Sequence, residues 1–158
     1  MAATELYLSP NKQLASKRVG NIWVQATGGS TTGIADSEWL DYLQYMKRSA
    51  KNEGAGQLMI QYSPGIAPSG RQRAQVQAIQ DEIYPDFRAL AILTDSSIVR
   101  GVITAMAWVS KNKLQTRATK PKEYAQALEW LQTIIGFDHK EALSALGETT
   151  KAVGYKLP

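Results

Sequence analysis

The stretch Leu90-Ala91-Ile92-Leu93 limits the fold more than any other feature of the chain. It is an unbroken apolar run of strand length, closed by Thr94-Asp95-Ser96. Alternating polarity would mark a strand with one wet face. An unbroken run suggests a strand buried on both faces, as in the middle of a parallel sheet. Parallel strands need crossover connections, usually helices. The flanking sequence is therefore expected to alternate between strand and helix.

It does. Residues 5–9 form a short strand candidate and residues 19–27 a stronger one. The turn signal Ser9-Pro10-Asn11-Lys12 lies between them, so the two are expected to pair antiparallel. In the second, Ile22, Val24 and Ala26 share one face and Trp23 and Gln25 the other, one of the two faces being less buried. A Gly-rich loop over residues 28–33 leads to a helix opened by Asp36 or Ser37 and running to about Asn52. Residues 57–63 read as a strand, and residues 71–83 as a helix with Val76, Ile79 and Ile83 on one stripe, stopped by Pro85. After the Leu90 strand, Asp95 and Ser96 cap a helix with Val99, Val102, Ile103 and Met106 inward. Residues 114–118 are a weaker strand. Pro121 then opens a helix that aligns Tyr124, Ala127, Leu128 and Leu131.

The expected fold is α/β, with element order β-β-α-β-α-β-α-β-α. A mixed sheet has an antiparallel first hairpin, and helices pack on it through right-handed crossovers. Residues 1–135 read as one domain. Residues 136–158 read as a C-terminal extension: a short helix from His139 to Leu146, capped by Asp138, then an irregular tail.

Composition narrows the chemistry. The chain has 158 residues, enough for one domain with a real core. With no cysteine, disulfides, thiolate metal sites and a cysteine nucleophile are excluded. The single histidine, His139, removes most metal sites and the usual Ser–His pair. No cofactor is implied. No apolar run approaches the roughly 20 residues that span a bilayer, and the first ten residues do not read as a signal peptide, so a cytoplasmic location is expected. The net charge of +4 is spread over separate groups, among them Lys47 and Arg48, Arg71 and Arg73, and Lys120 and Lys122, a pattern that does not favour nucleic-acid binding.

Two places are candidates for partner or anion binding. Ser69-Gly70-Arg71-Gln72-Arg73 combines a helix start, with its free N–H groups, and two guanidinium groups. The alternative there is a plain Ser69 cap beside solvated arginines. Asp95, Ser96 and Arg100 stand at a strand's carboxyl end, where open α/β sheets tend to bind ligands. The alternative is a helix cap with one structural Asp95–Arg100 salt bridge. The loop over residues 28–33 lacks both the P-loop ending and the dinucleotide-binding spacing, so it reads as a connection.

The run Ala89-Leu90-Ala91-Ile92-Leu93-Thr94-Asp95-Ser96, continued by Ile98-Val99-Arg100-Gly101-Val102, resembles the STAS-type domains of sulfate transporters and anti-sigma factor antagonists, and the wider set of STAS-like bacterial proteins. Tyr124-Ala125-Gln126-Ala127-Leu128-Glu129-Trp130-Leu131 is similar to their closing helix. The resemblance spans roughly residues 19–132. It implies a module that is not an enzyme, binds protein partners and in some members binds nucleotides or lipids. In the anti-sigma antagonists, a partner kinase phosphorylates a serine in an Asp-Ser-Ser-Gly pattern at the start of the second helix. Here that place reads Ala67-Pro68-Ser69-Gly70, so only Ser69 and Gly70 match. The expected function is a protein-interaction or regulatory module of bacterial signalling, its partner another protein or a second copy. The alternative is a nucleotide or lipid binder with a pocket at the strand carboxyl ends.

Overall fold

The computed structural model describes residues 6–10, 12–28, 36–49, 56–62, 70–71, 74–75, 78, 88–97, 100–101 and 115–158. The strands are β1 (Tyr7–Leu8), β2 (Leu14–Val19), β3 (Ile22–Thr27), β4 (Gly56–Gln61), β5 (Ala89–Thr94) and β6 (Gln115–Thr119). Helix α1 (Asp36–Ser49) lies between β3 and β4. A short 3-10 turn (Pro121–Glu123) leads into α2 (Tyr124–Gln132), and α3 (His139–Ala152) follows. Between β4 and β5, residues 70, 71, 74, 75 and 78 are helical, as are 97, 100 and 101 between β5 and β6.

One six-stranded sheet runs in sequence order, β1-β2-β3-β4-β5-β6. The pairs β1–β2 and β2–β3 are antiparallel, and β3 through β6 are parallel. The chain is thus an α/β protein with a mixed sheet, antiparallel at its start.

The hairpin differs from the one expected. Residues 19–27 contain a turn, not one strand: Val19 pairs with Ile22 across Gly20 and Asn21. Gly20 sits at φ 56°, a left-handed conformation that glycine adopts freely. The strand opposite β3 is β2, which carries Ser16, Lys17 and Arg18. Ser9 anchors the preceding turn: its Oγ accepts from the N–H groups of Gln13 at 3.1 Å and Leu14 at 3.0 Å.

The two sheet faces differ in chemistry. On one, Ala15, Val19, Ile22, Val24, Ala26, Leu58, Ile60, Ala91 and Leu93 form an apolar floor. Ala127, Leu128 and Leu131 of α2 and Ala142, Ala145 and Leu146 of α3 cover it. The face under α1 carries Ser16, Trp23, Gln25, Thr27 and Gln57, all buried. Every residue of β3 is buried, so neither of its faces is the wetter one.

The C-terminal segment departs most from expectation. The helix does not stop at Leu146. It continues to Ala152, with Thr149 and Thr150 buried as well. Asp138 caps it as expected, its Oδ1 accepting from Glu141 N–H at 2.9 Å. The far end closes in a Schellman motif: Gly154, at φ 90°, donates its N–H to Lys151 O at 3.0 Å, and Tyr155 N–H donates to Thr150 O at 3.1 Å. Ala142, Ala145, Leu146 and Val153 of this segment belong to the hydrophobic core. The Lys17–Glu148 ion pair at 3.1 Å, on the exposed rim, adds at most about 1 kcal/mol.

Candidate functional site

Strands β3, β4 and β5 end level with one another. Thr27, Gln61 and Thr94 stand in register, so their side chains form one row at the carboxyl edge, on the face beneath α1. Thr94 is the hub. Its Oγ1 donates to Gln61 Oε1 at 3.0 Å and accepts from Ser96 N–H at 3.2 Å. Arg100 Nη1 donates to the carbonyl of Thr94 at 2.8 Å, and Arg100 N–H donates to Ser96 O at 3.1 Å. The guanidinium is thus turned onto the last carbonyl of β5. Among the described residues it makes no salt bridge with Asp95, whose side chain is exposed. The sequence leaves open whether Asp95 orients Arg100; in the structure the strand end does so.

The end of α3 forms a second wall of this edge. Gly28, just past β3, lies against the helix end: a Cβ there would stand 3.3 Å from Gln13 Oε1 and 3.4 Å from Val153 Cβ. Tyr62, just past β4, stacks on Tyr155 with ring centroids 4.5 Å apart, and its hydroxyl donates to Thr150 Oγ1 at 3.3 Å. Burial raises the Tyr62 pKa above the usual phenol value, and the Thr150 hydrogen bond opposes it more weakly. Because the folded value is the higher one, the neutral phenol's contribution is complete below about pH 10 and is lost as pH climbs through the raised pKa. Thermal melts between roughly pH 9 and 11 should therefore fall more steeply for the wild type than for Tyr62→Phe. Parallel slopes would remove Tyr62 as the cause.

Deeper under α1 lies a set of polar side chains that sequence reading did not single out. Gln25 Oε1 accepts from Tyr42 OH at 2.6 Å and also from the Gln57 side-chain amide. Tyr42 and Tyr45 come from α1, spaced three apart so that both rings face the sheet. Tyr45 meets Trp23 edge-on with centroids 5.5 Å apart and stacks on Tyr7 at 4.7 Å. Tyr7 OH donates to Asp41 Oδ2 at 2.6 Å, tying the edge strand to the helix. The available signal is period-two: Gln57 and Gln61 in β4 alternate with Leu58 and Ile60, as Gln25 and Thr27 alternate with Val24 and Ala26. Polar residues at every second position, beside apolar neighbours, mark a polar face.

Of the sequence-derived site residues, Ser96 and Arg100 meet at Thr94, with Asp95 exposed beside them. Gly70 and Arg71 are helical and exposed after β4, and no described contact joins them to the Thr94 group. Ser69 and Arg73 lie outside the described residues. Among the described residues no helix is long and apolar enough to cross a membrane. The fold and this edge define an α/β protein with its polar groups gathered at the carboxyl ends of a mixed sheet. Comparisons with protein-family models, curated proteins and solved structures return no match.

Proposed function

We propose that the protein is a non-enzymatic interaction module of STAS-like type that works in bacterial signalling in the cytoplasm. Its contact surface is the carboxyl edge of β3, β4 and β5, with Asp95, Ser96 and Arg100 at its centre. Ser69, Gly70, Arg71 and Arg73 are the further candidates for this contact. The partner is another protein or a second copy of this chain. One observation carries this reading. Gln61, Thr94, Ser96 and Arg100 are joined by hydrogen bonds, so Asp95 is exposed beside a bonded group. A preorganised surface loses little freedom on binding, which favours docking.

The test is co-purification from the source cells with quantitative mass spectrometry. Proteins enriched by the wild type should fall at least roughly tenfold with Asp95→Arg, since a reversed charge at an interface opposes the original partner (~1.4 kcal/mol or more). Ser144→Arg, on the exposed side of α3, should retain them. Equal enrichment by both variants would contradict the proposal.

A second reading, a nucleotide or lipid site at the same edge, has one observation in its favour. Thr27 Oγ1 is buried in the row with Gln61 and Thr94 and has no hydrogen-bond partner. A ligand hydroxyl or phosphate would satisfy it.

A further inference from the structure

Ser16 and Gln25 face each other across the β2–β3 ladder, on the side covered by α1. Both are 0% exposed. The Ser16 hydroxyl has no hydrogen-bond partner, and neither has the Gln25 amide nitrogen. The Gln25 oxygen is already taken by Tyr42 OH and the Gln57 amide. Turning the Gln25 amide over exchanges donor for acceptor at that end but leaves it equally unmatched. Two residues along the same face of β3, Thr27 Oγ1 is a third unpartnered polar group. Folds rarely leave such groups dry, because a buried polar atom loses its water and gains nothing in exchange.

We infer that the space between Ser16, Gln25 and the α1 tyrosines is a built hydration site, holding an ordered internal water that bridges Ser16 Oγ and the free end of the Gln25 amide. Directly opposite residues in an antiparallel pair hold their Cβ atoms about 4.5–5.5 Å apart, so one molecule of this size touches both side chains. Water both donates and accepts, which matches a hydroxyl on one side and an amide on the other. Aromatic rings flank the site: Trp23 and Tyr45 pack edge-on at 5.5 Å and Tyr42 and Tyr45 lie 6.3 Å apart. The water completes the bonding of Gln25, and through Gln25 it helps hold Tyr42 and the seat of α1.

Two measurements test this together. A high-resolution crystal structure should show one water within hydrogen-bonding distance of Ser16 Oγ and the Gln25 amide. Ser16→Ala, which keeps the fold, should lower the melting temperature by about 2–5 °C, because it takes one anchor from the water. A truly dry hydroxyl gives the opposite sign: its removal relieves an unmatched group, and the variant melts at the same or a higher temperature. That result overturns the inference. So does density for a larger molecule at the site, or no density there.

Discussion

Leu146→Ala is expected to destabilise the protein by about 2–5 kcal/mol, read from denaturant unfolding. Leu146 is fully buried in α3, within the cluster that includes Val24, Ala26, Leu58 and Leu128. Removing its branched end takes apolar surface out of contact and leaves a cavity between helix and sheet, and both terms act against the fold. The size of the loss is diagnostic. If α3 did not pack on the sheet, the same change would stay within about 0.5 kcal/mol. A large loss requires that α3 close the apolar face. The wall it gives to the carboxyl edge, through Val153 and Tyr155, would then rest on the core as well.

Gln25→Leu should cost about 2–6 kcal/mol, because it takes the acceptor from two buried donors together, at about 1–3 kcal/mol each. Tyr42 OH and the Gln57 amide both end on Gln25 Oε1, and all three residues are buried. The loss should be partly recovered in the double variant Tyr42→Phe, Gln25→Leu, since one of the stranded donors is then gone. A coupling of about 0.5–3 kcal/mol between the two positions is expected from a double-mutant cycle. Additive effects would mean that the pair is not a bonded unit. Near-ultraviolet circular dichroism should change with Gln25→Leu, because Tyr42, Tyr45 and Trp23 pack together above that bond.

Much of the sheet was legible from sequence. The unbroken run at Leu90 marked β5, and its neighbours on both sides are strands, as an interior position requires. Ala127, Leu128 and Leu131 share the buried side of α2, at the helical spacing read from the chain. Strand β2 was missed because Ser16, Lys17 and Arg18 give it no apolar alternation. Lys17 is satisfied by Glu148, and Ser16 lies under α1. Gly20-Asn21 between Val19 and Ile22 was the available hairpin signal. The end of α3 was hidden by Gly147 and by two threonines, which are poor helix formers. Packing overrides that preference: Thr149 Oγ1 donates to Ala145 O at 2.9 Å, so its hydroxyl is satisfied within the core.

The site was legible only in part. That Ser96 and Arg100 follow a strand end was legible, because an apolar run closed by Asp and Ser marks a helix start. The partner of Arg100 was not legible, since a backbone carbonyl leaves no trace in sequence. The tyrosine and glutamine layer under α1 joins residues distant in the chain, such as Gln25 and Gln57, 32 positions apart, and no local pattern spans that distance.

Native mass spectrometry of the protein as isolated from its source cells tests the proposed function most directly. An interaction module should appear as the bare chain, as copies of it, or as the chain with a second protein, and without a small-molecule adduct. A stoichiometric adduct of nucleotide or lipid mass would contradict that reading and give the carboxyl edge to a ligand.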